Sequence, residues 1–472
     1  MKKITLLLFA CVAMLLAVSC DKGFEELNTN PNDPITVPSG LLIADVVFNA
    51  GNSLYSTFVG GDMGECWAQH WTKVQYNDEE RYQPRGTVIQ DLVWKTYYED
   101  VVSDAKTMQN LAVAEENSNM QGVALVLQAY GYSVLTDVFG AVPFSEAIQA
   151  TTENFTPKYD SQEEVYTGIL AMLDAAEAAF VLESGVINPD SDILYGGDAD
   201  KWRKFANSLK FRCLMRISGK KNVAADLQAL MSRPMFTSNA DEAKLVYKSS
   251  NPSANPIYET IVYGFRNEFK INSRLLEVLA DYNDPRDAVY AAPNADGELR
   301  GKPAGIENVP NDDYNYDNVS PIGSLYLEPT APGYFVSFAE LSFLMAEAAQ
   351  KGYISGSAQH YYEQGIEASF AANGLSLGSY LSGPAAYSEA TALKQIGEQK
   401  WLALFCQGVE AWTEWRRTGY PALTPASEAY IDEIPSRYTY PSIEQSVNKV
   451  AYDAAVSAQG ADLLTTPIWW MN

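Results

Sequence analysis

Histidine is nearly absent: the 472 residues contain two, His70 and His360, far apart in the chain. That excludes an HExxH zinc helix and leaves any two-histidine site to a meeting of distant residues. Cysteine is scarce as well. Of five, Cys11 and Cys20 belong to the N-terminal apolar run, which leaves Cys66, Cys213 and Cys406 for the body. Three thiols permit one disulfide at most, and no CxxC or other metal-ligand spacing occurs. The FRCLMRI and WLALFCQGV settings of Cys213 and Cys406 predict small buried thiols on helices. Positive charge is short too, with 33 Lys and Arg against 59 Asp and Glu, a net charge of −26. Nucleic acid and anionic membrane surfaces select basic patches, so neither is expected as a partner. There is no GxSxG elbow, no GxxxxGK[ST] loop and no GxGxxG after a strand. The many carboxylates offer no pair singled out for glycoside hydrolysis. The chain reads as a non-enzyme without a cofactor.

Long apolar runs are limited to one, ITLLLFACVAMLLAVSC at 4–20, directly after Met1-Lys2-Lys3. It is short of the ~20 residues of a spanning helix, and no second run of that kind is expected downstream. Two lysines, an apolar stretch and small Ala17 and Ser19 before Cys20 have the order of a cleaved secretion signal. The pattern resembles bacterial lipoprotein precursors, which implies loss of 1–19 and acylation of Cys20. Each buried methylene contributes about 0.8 kcal/mol, so several acyl chains make attachment durable. Residues 20–40, opening CDKGFEELNTNPNDP, are polar, acidic and rich in Pro and Asn and predict a tether. Residues 41–472 are expected to form one domain.

Most apolar residues beyond the tether recur at helical spacing. They predict helices over 88–111, 120–139, 163–180, 201–217, 336–351, 358–373, 390–415 and 441–457. Gly140, with Pro143 just beyond, marks the end of the second. Trp202, Phe205, Leu209 and Cys213 form one stripe of the fourth. In SFAELSFLMAEAAQKGYISGSAQHYYEQGIEASF, Ala348, Gly352, Ala358, Tyr361 and Ile366 alternate small and bulky as in a tetratricopeptide-type helix pair. Ala176 and Phe180 give a weaker A-x3-F version, and a plain helical bundle would carry much the same pattern. The fold class is mainly α.

Between 235 and 332 Pro, Gly, Asn and Asp crowd in, and long loops of this kind in compact domains are usually functional. Residues 243–247 and 259–265 are expected as short strands and 275–282 as a short helix. Asp281, Asp284 and Asp287 lack the DxDxDG order of a calcium loop, so in place of structural Ca²⁺ binding Asp284 is expected to cap a helix starting at Pro285. The basic run Lys201, Arg203, Lys204, Lys210, Arg212 and Arg216 is expected to pair internally. Arg416 and Arg417 are expected to bond carbonyls at their helix end, and Arg437 to brace a loop.

Aromatic residues are abundant, at 12% with 29 tyrosines and 9 tryptophans. Trp94, Trp202 and Trp412 lie on amphipathic stripes and read as core. Others lie in loop-like sequence: Trp67, Trp71, Tyr76 and Tyr82, then Tyr263 and Phe265, then Tyr314, Tyr316 and Tyr326. An exposed ring offers a flat apolar face to the C–H face of a sugar, while nearby Gln, Asn, Asp and Arg can bond its hydroxyls. These nine are the candidate ligand-binding residues.

Taken in order, the lipobox with CDKGFEELNTNPNDP, AQHWTKVQYNDEERY, GYSVLTDVFGAVP, WRKFANSLKFRCLMRI, DPR, FLMAEAAQKG, GVEAWTEWRRTGYP and IPSRYTYP before Glu444 and Asn448 resemble the SusD/RagB family, in its SusD-like branch. The resemblance implies tetratricopeptide-like helical pairs with an irregular ligand-binding half. It implies a lipid anchor at Cys20 on the outer membrane. It also implies a partner, a SusC-like TonB-dependent transporter to which captured oligosaccharide is delivered. Peptide capture or simple gating of the barrel is the alternative. Ligand contacts vary across the family, so only Cys20 is carried over.

Overall fold

Short polar side chains cap the helices where the sequence supplies them, and the computed structural model describes residues 37–149, 154–307 and 313–471. The signal, Cys20 and most of the tether lie outside the described residues. Helix α1 spans Ile43–Tyr55 and runs into a wide-turn helix, Thr57–Glu65. α2 is the helical run 86–114, with two wide-turn stretches at Ile89–Lys95 and Tyr97–Ser103. α3 is Ser118–Phe139, opened by the Asn117 side chain on the Met120 N–H and closed at Gly140, φ 84°. α4, Gln162–Val181, starts with a reciprocal Ser161–Glu164 capping box. α5 is Ala199–Ile217, with the Asp198 side chain accepting from the Lys201 N–H. α6 is Ser273–Asp281, α7 Phe338–Gln350, α8 Ala358–Ala372, α9 Ala392–Ala403, α10 Gly408–Thr418 and α11 Lys449–Gln459.

The helices pack in sequential pairs, α3 against α2 and α4, and α7 against α8. Small residues set their spacing. A Cβ on Gly365 of α8 would lie 2.8 Å from the Phe343 ring of α7, and one on Gly122 of α3 would lie 2.7 Å from the Phe180 ring of α4. At interior packing density such contacts leave no room for a methyl group. Phe180 is the bulky member expected from the A-x3-F relation, and Ala176, Ala348 and Ile366 are fully buried. Among the described residues there are three two-stranded antiparallel ladders: β1 (Trp71–Lys73) with β5 (Phe269–Ile271), β2 (Val142–Pro143) with β3 (Tyr159–Asp160), and β4 (Ala243–Leu245) with β6 (Gly333–Val336).

Five of the six cations in the basic row of α5 pair internally; among the described residues Lys201 has no ion pair. Arg203 meets Glu177 at 2.6 Å, Lys204 meets Asp241 at 2.8 Å, Lys210 meets Asp174 at 2.5 Å and Arg212 meets Glu340 at 2.5 Å. Arg216, fully buried, contacts Asp137 at 3.2 Å, Glu410 at 2.5 Å and Glu414. Arg416 donates to the carbonyls of Asp137 and Ser436, whereas Arg417 differs from expectation and bonds the carboxylates of Glu347 and Glu414. Arg437 is paired with Asp462 at 3.0 Å and lies over the Tyr440 ring, so it does brace a loop.

Several expectations are corrected. The stretch 390–415 is two helices, because Cys406 adopts φ 64° and Gly408 then approaches the Thr57–Glu65 segment so closely that a Cβ would lie 2.3 Å from the Gly60 carbonyl oxygen. Cys406 is buried as expected but lies in a chain reversal. The 441–457 helix breaks at Asn448, and 259–265 forms a wide helical turn, Glu259–Tyr263, instead of a strand. Asp284 does accept the Arg286 N–H at 3.0 Å, as an N-cap side chain would, but the helix it opens is a short one assigned from Asp287 to Tyr290, and the same carboxylate also accepts from the Arg286 guanidinium and the Tyr380 hydroxyl. A second run does meet the length and apolarity of a membrane span, Ser118–Phe139, but 89% of its most apolar window is buried, which makes it the core helix.

Candidate functional site

β1 and β5 set the geometry of the strongest candidate. Their register pairs Trp71 with Ile271 and Lys73 with Phe269, so the chain leaving β1 and the chain entering β5 emerge side by side. The Val74 N–H donates to the Glu268 carbonyl at 3.0 Å and extends that alignment past the strands. A third segment joins them: the Tyr316 hydroxyl donates to Gln75 Oε1 at 2.6 Å, and Lys270 Nζ donates to the Tyr316 carbonyl at 2.8 Å. Tyr76, Phe265 and Tyr316 are thereby brought onto one set of neighbouring loops.

Two of these rings are presented to solvent. Tyr76 is 56% exposed and Phe265 86%, and both sit in left-handed backbone, φ 56° and 54°. A bulky residue there costs of order 1–3 kcal/mol, a cost that clusters at ligand sites. The Arg266 guanidinium lies 5.5 Å over the Tyr76 ring and is oriented by Glu268, at 2.8 Å from its Nε. Tyr263, 63% exposed, ends the adjoining helical turn. Arg300 lies 5.3 Å over the half-buried Tyr314 ring.

Buried charges hold this face from below. Lys73 Nζ bonds Asp62 at 2.8 Å, and the half-exposed Arg85 reaches Asp62 at 3.3 Å and Glu79 at 2.5 Å while covering the Phe58 ring. Burial pushes the Asp62 carboxyl up to about 6, against the pull of Lys73. Burial lowers the Lys270 ammonium, with Asp317 opposing. Glu80 ties the flanking loops together, accepting from Thr72 Oγ1 at 2.5 Å and from the Gly305 N–H at 3.1 Å.

Three of the nine sequence candidates are core. Trp67 is fully buried, its indole N–H donating to the Glu79 carbonyl and its ring edge-on to Trp412 at 5.0 Å. Trp71, also fully buried, meets Phe269 at 5.8 Å beneath the exposed face. The Tyr82 hydroxyl accepts from the Ala426 N–H at 2.7 Å in the interior. The expectation that these rings face solvent is corrected: Trp71 lies on a strand whose three residues are all buried, and the turns that carry Trp67 and Tyr82 are packed into the interior. Tyr326 stands apart, edge-on to Phe405 at 4.8 Å in a separate recess. Arg266, Glu268, Arg85 and Phe58 were missed; Arg266 follows Phe265 directly in YGFRNE, the one signal that marked it.

Helical pairs carrying an open, loop-built aromatic and cationic face define a binding protein of the helical-repeat class. The chain belongs to the SusD-like family described as starch-binding associating with outer membrane, whose model matches residues 31–441. Among solved structures it is similar to a chitin-binding protein, with TM-score 0.81, 26% identity, and 92% of this chain and 99% of that chain covered. It is likewise similar to a chitin-binding SusD homologue from Flavobacterium johnsoniae, with TM-score 0.80, 26% identity, and 90% and 97% covered. A SusD homologue from Bacteroides fragilis gives TM-score 0.76 and 26% identity over 93% and 100% of the two chains. No curated protein matches the chain.

Proposed function

We infer that this chain is a surface-exposed, non-enzymatic lipoprotein, anchored through Cys20, that captures oligosaccharide and delivers it to a SusC-like TonB-dependent outer-membrane transporter. The observation that carries the glycan reading is the exposed pair Tyr76 and Phe265, held in left-handed backbone beside Arg266. Flat apolar rings next to guanidinium and amide donors match the two chemistries of a sugar ring. Chitin binding by two structural neighbours and the starch-binding description of the family point the same way. Delivery rests on the family resemblance, and the acidic body, net charge −26, leaves the acyl group as its membrane contact.

Affinity gel electrophoresis against soluble starch, glycol chitin and other polysaccharides tests the reading. At least one polymer retards the parent, and Tyr76→Ala with Phe265→Ala abolishes the retardation. Retardation by none, with binding to a peptide library instead, moves the function to peptide capture. Release of reducing ends by the purified protein would overturn its non-enzymatic role.

A further inference from the structure

A second recess, lined by neither Tyr76 nor Phe265, opens where α8 ends and where the chain breaks between α9 and α10. Its volume is about 210 Å³. An engineered apolar cavity of about 150 Å³ takes up benzene, so this recess has room for one substituted six-membered ring and not for a chain of them. The Tyr326 and Phe405 rings form aromatic walls, set edge to face at 4.8 Å. The left-handed backbone at Cys406, φ 64°, turns the chain so that Phe405, Cys406 and Gln407 all line the recess.

Polar groups converge on the same space. Glu242 is buried, with Oε1 accepting from the Phe338 N–H at 3.0 Å and Oε2 from Lys244 Nζ at 3.2 Å. A carboxylate has about four acceptor positions, so two stay open. Among the described residues nothing bonds the Tyr334 hydroxyl, and the Gln407 amide has only a 3.5 Å bond to the Ala403 carbonyl. Aromatic walls one ring wide with carboxylate, amide and phenol at hand match a hydroxylated ring with C–H faces. A charged ligand fits worse. Glu242 repels an anion, and Lys244 already neutralises Glu242 against a cation.

We propose that this recess is a second sugar site, which takes one neutral pyranose ring, free or at a chain end. The choice of sugars rests on the glycan reading above. Titration of the mature protein with the methyl glycosides of glucose, galactose, mannose and N-acetylglucosamine, followed by saturation-transfer NMR, tests it. Ala372 is exposed at the mouth, so Ala372→Trp obstructs the recess without entering the core. At least one glycoside binds the parent, at least tenfold more weakly to Ala372→Trp and several-fold more weakly to Tyr334→Phe, and equally to the Tyr76→Ala, Phe265→Ala double variant. Binding by no glycoside, binding that survives Ala372→Trp, or binding lost in the double variant overturns the second site. Polymer retardation on the same proteins separates the failures: retained polymer without glycoside binding defeats the recess alone, and loss of both defeats the glycan reading as well.

Discussion

Tyr76 and Trp71 lie five residues apart and have opposite roles. Trp71 supports the face from inside, whereas Tyr76 leaves the interior in strained backbone and meets solvent. Removing an exposed stacking ring leaves no cavity. Tyr76→Ala or Phe265→Ala should therefore weaken polysaccharide binding by about tenfold each, roughly 1.4 kcal/mol, with an unchanged melting temperature. Trp67→Ala or Trp71→Ala should instead cost about 3–5 kcal/mol of stability, read by denaturant unfolding. Arg266→Ala should weaken binding and spare the fold, since its guanidinium lies over Tyr76 at the surface. The aromatic-rich segments of the site were legible in the sequence. Which rings faced outward was not, because that depends on β1 pairing with β5 across about two hundred residues of sequence and on left-handed backbone at non-glycine residues. No local pattern encodes either.

Helix identity was legible wherever a periodic stripe ran uninterrupted, as in α3, α4, α5 and α8. It failed where tertiary contact overrode the stripe, at Cys406 and Asn448, and the Gly60, Gly64 and Gly408 contact was the only mark of the first break. What joins α7, α9 and α10 is charge. Glu347 of α7 accepts from Arg417 of α10 at 2.8 Å and sits 3.8 Å from Lys400 of α9. Burial alone would raise its carboxyl, but Arg417 and Lys400 hold it well below the ordinary glutamate value. A depressed carboxylate stabilises the fold above its unfolded value, about 4.3, and that contribution is lost as pH falls from there toward the folded value. Glu347→Gln should cost about 3–5 kcal/mol at neutral pH, because it leaves buried cations uncompensated. Its stability should also fall less steeply than the parent's below pH 4.3. A parallel pair of acid-unfolding curves would contradict this.

For the molecule as a whole, the balance of forces at a membrane follows from charge and from Cys20. A chain of net charge −26 is repelled by anionic lipid rather than drawn to it, and loss of Lys2 and Lys3 with the inferred signal would make it more negative. Among the described residues the one helix long and apolar enough to span, α3, is packed against α2 and α4 and largely buried. With Cys20 acylated as inferred above, attachment rests on the acyl chains, whose burial contributes about 0.8 kcal/mol per methylene. Cys20→Ala should therefore move the protein from the outer-membrane fraction to the soluble or unprocessed pool and abolish fatty-acid labelling. Its polysaccharide affinity should be retained, since no candidate site residue belongs to the tether. Because the inferred delivery step needs the captured glycan beside the transporter, cells carrying only the Cys20→Ala form should lose growth on that glycan while the purified variant still binds it. Growth equal to the parent would show that tethering is dispensable and would remove the lipid anchor from the transport mechanism.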